Sequence, residues 1–235
     1  LGRGTPFVIR FRMPLEGDVR FRDVIRGDFT FANAELDDFV LIKSDERPTY
    51  NYAVVVDDGY MKISHVIRGD DHISNTPRQV HLYNALGYRL PKFAHLPMIL
   101  GHDKTRLSKR HGATSVDSYR EQHYLSEAMV NYLALLGWAY DGKRELFTLK
   151  ALIEAFSLKK VSSNPAVFDL GKMEWINAEH FKTLPPAAKV ELVYGVLEEE
   201  GRLPPSFEVD LSRPVDLKLV PGKEPVRAEA PEAGK

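Results

Sequence analysis

The sequence predicts an α/β protein that is strand-rich in its first half and helix-rich in its second. Three observations carry this reading. Short segments of alternating apolar and polar residues crowd the chain up to about residue 70. Longer apolar stretches with cap and stop signals follow residue 115. A glycine-bounded basic loop, 101–112, lies between the two patterns.

The elements follow in order. Phe7 to Met13 alternates apolar and basic residues, as a half-buried strand does. Pro14 and Gly17 punctuate, Val19 to Arg22 alternates again, and Asp38 to Ile42 is a third strand candidate. Tyr52 to Val56 suits either a strand or a buried helix, and Asp57-Asp58-Gly59 is read as its break. Ile63 to Ile67 reads as a strand ending in a charged turn, Arg68-Gly69-Asp70-Asp71. In open α/β sheets ligands bind at such carboxyl ends. Next comes a helix capped by Asn75 or Thr76, with Pro77 in its first turn and Gly87 beyond its end. Its buried stripe is expected to hold Val80, Tyr83, Ala85 and Leu86. Phe93 to Leu100 is one more strand-like run. Helices are expected over 125–136, 148–156, 169–175, 177–184 and 186–200, and an irregular tail, with six of the fifteen prolines, over 202–235.

The bulk properties narrow the function. The chain has 235 residues, enough for one large domain or two modest ones. Without cysteine there is no disulfide, thiolate zinc site or cysteine nucleophile, which fits a reducing cytosol. No apolar run approaches the ~20 residues that span a bilayer, and no signal peptide precedes the first strand. The first residue is Leu1, as in a processed or truncated product. A net charge of −1 confines any RNA contact to a local patch. The histidines show no metal-ligand spacing, and there is no Gly-x-x-x-x-Gly-Lys-Ser/Thr phosphate loop. Val24 to Asp28 recurs as Val66 to Asp70, which is too little for a repeat architecture, and its Arg-Gly-Asp tripeptides read as coincidence rather than adhesion ligands.

The loop 101–112 packs four cationic side chains and two histidines into twelve residues. Such a loop wraps an anion of several charges, although a charge run is more often a solvated surface. Arg106-Leu107-Ser108-Lys109-Arg110 resembles the Lys-Met-Ser-Lys-Ser signature of class I aminoacyl-tRNA synthetases, in the form found in glutamyl enzymes. Pro48 to Asp58 resembles that family's amino-acid pocket segment, and His65 to Gln79 its next segment, in family order. Phe168 to Asn177 is similar to its turn between helices.

The resemblance implies a glutamate–tRNA ligase. Its fold would be the second half of a class I Rossmann-like catalytic domain followed by a helical stem-contact domain. Residues 1–45 would then end an inserted acceptor-binding domain, 46–115 would complete the nucleotide fold, 116–201 would contact the tRNA stem, and 202–235 would be tail. ATP with Mg²⁺, glutamate and glutamate tRNA are the implied ligands of a monomeric, membrane-free, cytoplasmic parent. Lys109, then Arg106, would steady the departing pyrophosphate. Arg68 and Tyr50 would hold glutamate, and Ser108, Asp71, His72 and Ile99 would line the ATP site beside Arg106 and Lys109. Arg106 replaces the usual lysine, which keeps charge but changes geometry. The competing role for Arg68 is an ion pair with Asp70 or Asp71, and for Tyr50 simple packing. The family's His-Ile-Gly-His signature is not found in the chain, so the chain alone is expected to be inactive. The alternatives are a glutaminyl-tRNA synthetase, an enzyme that glutamylates a tRNA base, and a non-catalytic tRNA- or partner-binding paralogue.

Overall fold

The computed structural model describes residues 6–108, 110 and 115–202. The chain divides into two compact units, 1–180 and 181–235. The first opens with β1 (Ile9–Phe11), β2 (Asp18–Asp23), β3 (Gly27–Ala32) and β4 (Phe39–Ile42). α1 (Tyr50–Tyr60), β5 (His65–Gly69), α2 (Thr76–Leu86), β6 (Lys92–Leu96) and β7 (Ile99–Leu100) follow. After the basic loop come α3 (Val116–Glu121), α4 (Ser126–Leu135), α5 (Leu149–Ala155), β8 (Ala166–Val167) and α6 (Leu170–Thr183). The described part of the second unit is 181–202, which holds α7 (Pro186–Glu199).

The central sheet has the order β3-β2-β6-β5. β2 and β3 form an antiparallel hairpin, whereas β5 and β6 run parallel and are joined through α2. β2 meets β6 at Asp23 and Phe93. One core cluster beneath this sheet unites Val19 and Phe21 of β2, Val55 of α1, Val80, Leu82 and Tyr83 of α2, and Phe93 of β6. The hairpin within 1–45 therefore shares its sheet and its core with the β-α-β unit. β7 pairs with β8 in a separate two-stranded sheet. Two further clusters lie in the helical part, one around Tyr132, Met173 and Ile176 and one around Trp138 and Phe147.

Several expectations need correction. Tyr52 to Val56 is helical, and Asp57-Asp58-Gly59 does not break it, because α1 runs on to Tyr60. A Cβ on Gly59 would lie 2.5 Å from Cδ2 of Tyr88, so the glycine admits a ring against the helix rather than ending it. β3 was not expected, yet Phe29 and Phe31 alternate within it, and their rings stack on Phe21 at 5.1 and 6.2 Å. The Phe93 to Leu100 run is two strands parted at Pro97, which has no N–H to donate to a ladder. On α2 the buried residues are Thr76, Pro77, Gln79, Val80, Leu82 and Tyr83, while Ala85 and Leu86 are exposed. Gly87 does cap that helix, in the left-handed conformation at φ 69°. The segments 169–175 and 177–184 form one helix, α6. Asn177 does not interrupt it, because its side-chain oxygen accepts from Leu125 N at 2.9 Å instead of competing for helix backbone. α3 and β8 were also unforeseen. Of the expected tail, 202–235, all but Arg202 lies outside the described residues.

Gly59→Ala is expected to destabilise the protein by about 1–3 kcal/mol through overpacking against Tyr88. This opposes alanine's helix advantage of about 1 kcal/mol. Urea unfolding followed by circular dichroism reads the sign, and an unchanged or raised midpoint would mean the ring yields freely.

Candidate active site

Arg68 is the fourth residue of β5, on the same side as Val66, which packs into the core. The sheet register places it opposite His95 of β6. Its Nε donates to His95 Nε2 at 3.1 Å, and its Nη2 donates to Thr76 Oγ1 at 2.9 Å and Gln79 Oε1 at 2.8 Å. Thr76 and Gln79 are three residues apart on α2 and so face the same way. Gln79 is held in turn by its Nε2, which donates to Asn51 Oδ1 of α1 at 2.9 Å. Every one of these acceptors is neutral. Among the described residues no carboxylate forms an ion pair with Arg68. Burial pushes the Arg68 guanidinium below its ordinary pKa, with the neighbouring Tyr50 and Asp58 opposing that shift.

The carboxylates that might have neutralised Arg68 are engaged elsewhere. Asp70 accepts from Arg26 Nη2 at 2.7 Å, and Asp71 accepts from Arg106 Nη2 at 3.0 Å. Arg68 and Gly69 end β5 instead of entering the expected charged turn over 68–71, and Asp70 and Asp71 begin a 3-10 turn, Asp70–Asn75. Asp58 accepts from the Tyr83 hydroxyl at 3.0 Å, and burial followed by that carboxylate raises the Tyr83 pKa. Tyr50 opens α1, is half-exposed, and its ring lies 5.8 Å from that of His72. It is not a core residue.

The basic loop begins as a tight hairpin. Gly101 N donates to Thr105 O at 2.8 Å, and Leu107 N donates to Ile99 O at 2.9 Å, so the Ile99 carbonyl already has a partner. Asp103 caps the turn by accepting from Thr105 N and Oγ1, and Arg110 Nη2 donates to Thr105 Oγ1 at 2.6 Å. The Arg106–Asp71 pair ties this loop to the turn after β5. Ser108 lies two residues beyond Arg106, and Lys109 lies outside the described residues. Arg68, Tyr50, His72, Asp71 and Arg106 are thus linked by side-chain contacts around the end of β5.

The family profile described as tRNA synthetases class I (E and Q), catalytic domain, matches residues 2–175. The chain belongs to this family. It is 53% identical over 198 residues to the glutamate–tRNA ligase of Thermodesulfovibrio yellowstonii, covering 84% of this chain and 42% of that protein. It is 54% identical over 201 residues to that of Syntrophobacter fumaroxidans, covering 86% and 43%. Among solved structures, the glutamate-tRNA synthetase of Elizabethkingia anophelis superimposes with a TM-score of 0.77 at 37% identity, covering 86% of this chain and 44% of that one. The chain spans about two fifths of the length of the curated relatives it matches.

Further residues that the sequence did not mark as site residues gather around Arg68. Asp23 and His95 are fully buried, and Arg26, Thr76, Gln79 and Asn51 join them around Arg68. The one available signal was the paired recurrence of Val-Ile-Arg-Gly-Asp. In the structure Arg26 of the first copy pairs with Asp70 of the second, so the recurrence is a physical contact. Among the described residues no group of three metal-binding side chains forms.

Arg26 and Asp70 are about four-fifths buried, whereas Arg22 and Asp28 are largely exposed and 3.9 Å apart. A double-mutant cycle should give Arg26–Asp70 a coupling of about 0.5–3 kcal/mol and the Arg22–Asp28 pair about zero to 0.5 kcal/mol. Equal couplings would count against the assignment. Burial also lowers the pKa of His81, His95 and His180 below 6.5. The folded state then binds fewer protons than the unfolded chain just below that pH. Stability should fall as pH drops from 7.5 to 5.5, before carboxylates with ordinary values of 3.8 to 4.5 contribute. Urea midpoints at the two pH values test the sign.

Proposed function

We propose that this chain forms the glutamate pocket and one wall of the ATP site of a glutamate–tRNA ligase. The observation that carries the reading is the half-buried Arg68 guanidinium, held only by neutral acceptors. A desolvated cation without a counter-ion is costly, so the site favours an anionic ligand. A carboxylate accepts from guanidinium donors, whereas the amide of glutamine brings an N–H group and no charge. The half-exposed Tyr50 borders this position. The similarity to proteins named glutamate–tRNA ligases supports the same substrate.

In the proposed reaction the α-carboxylate of glutamate attacks the α-phosphate of ATP and pyrophosphate leaves. A ribose hydroxyl at the tRNA 3′ end then takes the glutamyl group and AMP leaves. Negative charge shifts onto pyrophosphate in the first transition state, where nearby cations lower the barrier. Arg106 serves here by exchanging its exposed partner Asp71 for phosphate oxygens. Lys109 is assigned beside it from the signature alone, with Ser108 donating to phosphate. Asp71, His72 and the backbone at Ile99 take the ribose and adenine side. Mg²⁺ arrives on the ATP phosphates. The reading assigns 1–45 to the end of the acceptor-binding insertion, 46–115 to the nucleotide fold, 116–201 to tRNA stem contact and 202–235 to tail, in a monomeric cytoplasmic enzyme.

In the full-length protein, assayed by glutamate-dependent pyrophosphate exchange with tRNA present, Arg68→Ala is expected to lower kcat/KM for glutamate by roughly 10²–10³-fold. An unchanged value would remove Arg68 from the pocket. Lys109→Ala is expected to slow single-turnover activation by roughly 10²–10³-fold. A rate within about threefold of wild type, well short of that loss, would end its assigned role.

A further inference from the structure

Arg68 donates from Nε and Nη2, and an arginine cannot accept. His95 Nε2, 3.1 Å from Arg68 Nε, must therefore present a lone pair. The other ring nitrogen, Nδ1, lies 2.7 Å from Asp23 Oδ2, which accepts, so Nδ1 carries the proton. Asp23 has no freedom to do otherwise. Its Oδ2 also accepts from His95 N at 3.0 Å, and its Oδ1 accepts from Ile25 N and Arg26 N at 2.9 Å each. Both residues are fully buried. The charged groups that face His95 are Asp23 from β2, Arg68 from β5, and Arg26, whose Nε donates to His95 O at 3.3 Å. Thr76 of α2 and the ring of Phe93 complete its surroundings. A protonated ring would set N–H against N–H at Arg68 and add a third cation beside one carboxylate.

We propose that His95, oriented by Asp23, is the positioning residue of Arg68, fixed as the Nδ1–H tautomer so that its Nε2 clamps the guanidinium without neutralising it. The inference rests on the assignment of Arg68 to the substrate carboxylate. With Nε clamped by His95 and Nη2 shared among Thr76, Gln79 and the His72 carbonyl, the remaining edge, beside the Tyr50 hydroxyl, is assigned to substrate. A carboxylate in place of His95 would hold Arg68 equally well but cancel its charge. A neutral acceptor does one without the other.

Two measurements test this. Long-range ¹H–¹⁵N spectra of the histidine-labelled chain, with the His95 signal assigned by its loss in His95→Gln, should show protonated Nδ1 and bare Nε2 at pH 7. The Nε2–H tautomer or an imidazolium would overturn the proposal. In the full-length protein, His95→Leu removes the acceptor and should raise KM for glutamate roughly 10–100-fold, while kcat changes far less. His95→Gln retains an acceptor oxygen and should recover most of that loss. An unchanged KM in folded His95→Leu, with Arg68→Ala impaired, overturns the positioning role alone. Normal glutamate kinetics in Arg68→Ala overturn the underlying assignment, while the spectra still decide the tautomer.

Discussion

A half-buried guanidinium on the core face of the parallel β5–β6 pair must find acceptors, and much of the first unit is arranged around that requirement. β6 supplies a histidine acceptor, α2 supplies a hydroxyl and an amide, and α1 holds the amide in place through Asn51. Each of these contacts needs the register of β5 against β6 and the seating of two helices on one sheet. A shift of one residue in β5 would turn Arg68 to the opposite face. The hydrophobic core and the polar network therefore specify the same alignment.

The network extends into the β2–β3 hairpin through Asp23. One buried carboxylate there orders its own turn, accepting from two backbone N–H groups, and orders the ring of His95. The turn it shapes delivers Arg26 to Asp70, so the hairpin is tied to the turn after β5 and, through His95 N, to β6. The Arg106–Asp71 pair adds the basic loop to the same turn, but at an exposed position where an anion can compete for the arginine. The contacts beneath Arg68 are partly buried, and the one that ties in the basic loop is exposed.

The helical part is held by its own polar ties. Buried Asn131 donates to Glu145 O and accepts from Phe147 N and His180, bringing α4, α6 and the intervening loop together. The Tyr132 hydroxyl both donates to Asp169 O and accepts from Asp169 N at the start of α6, and burial raises its pKa to about 12. β8 returns along β7, so the chain beyond the basic loop is hydrogen-bonded to the strand that enters it.

Local signals in the sequence were enough for the strands at 9–11, 18–23 and 39–42, for α2 with its Pro77 and Gly87, and for most later helices. Those features depend on periodicity and caps, which are properties of neighbouring residues. The signature at 106–110 and the segments around Tyr50 and Arg68 pointed to the family, because each is a run of particular residue types at fixed spacing. Tertiary packing alone decided that Gly59 stays helical, since Tyr88 lies against it. It also decided that Asp70 and Asp71 pair with Arg26 and Arg106 and leave Arg68 its charge. Asp23 and His95, 72 residues apart, meet only because β2 and β6 adjoin in the sheet. A charge is legible in the sequence, but its partner depends on which distant backbones the fold places side by side.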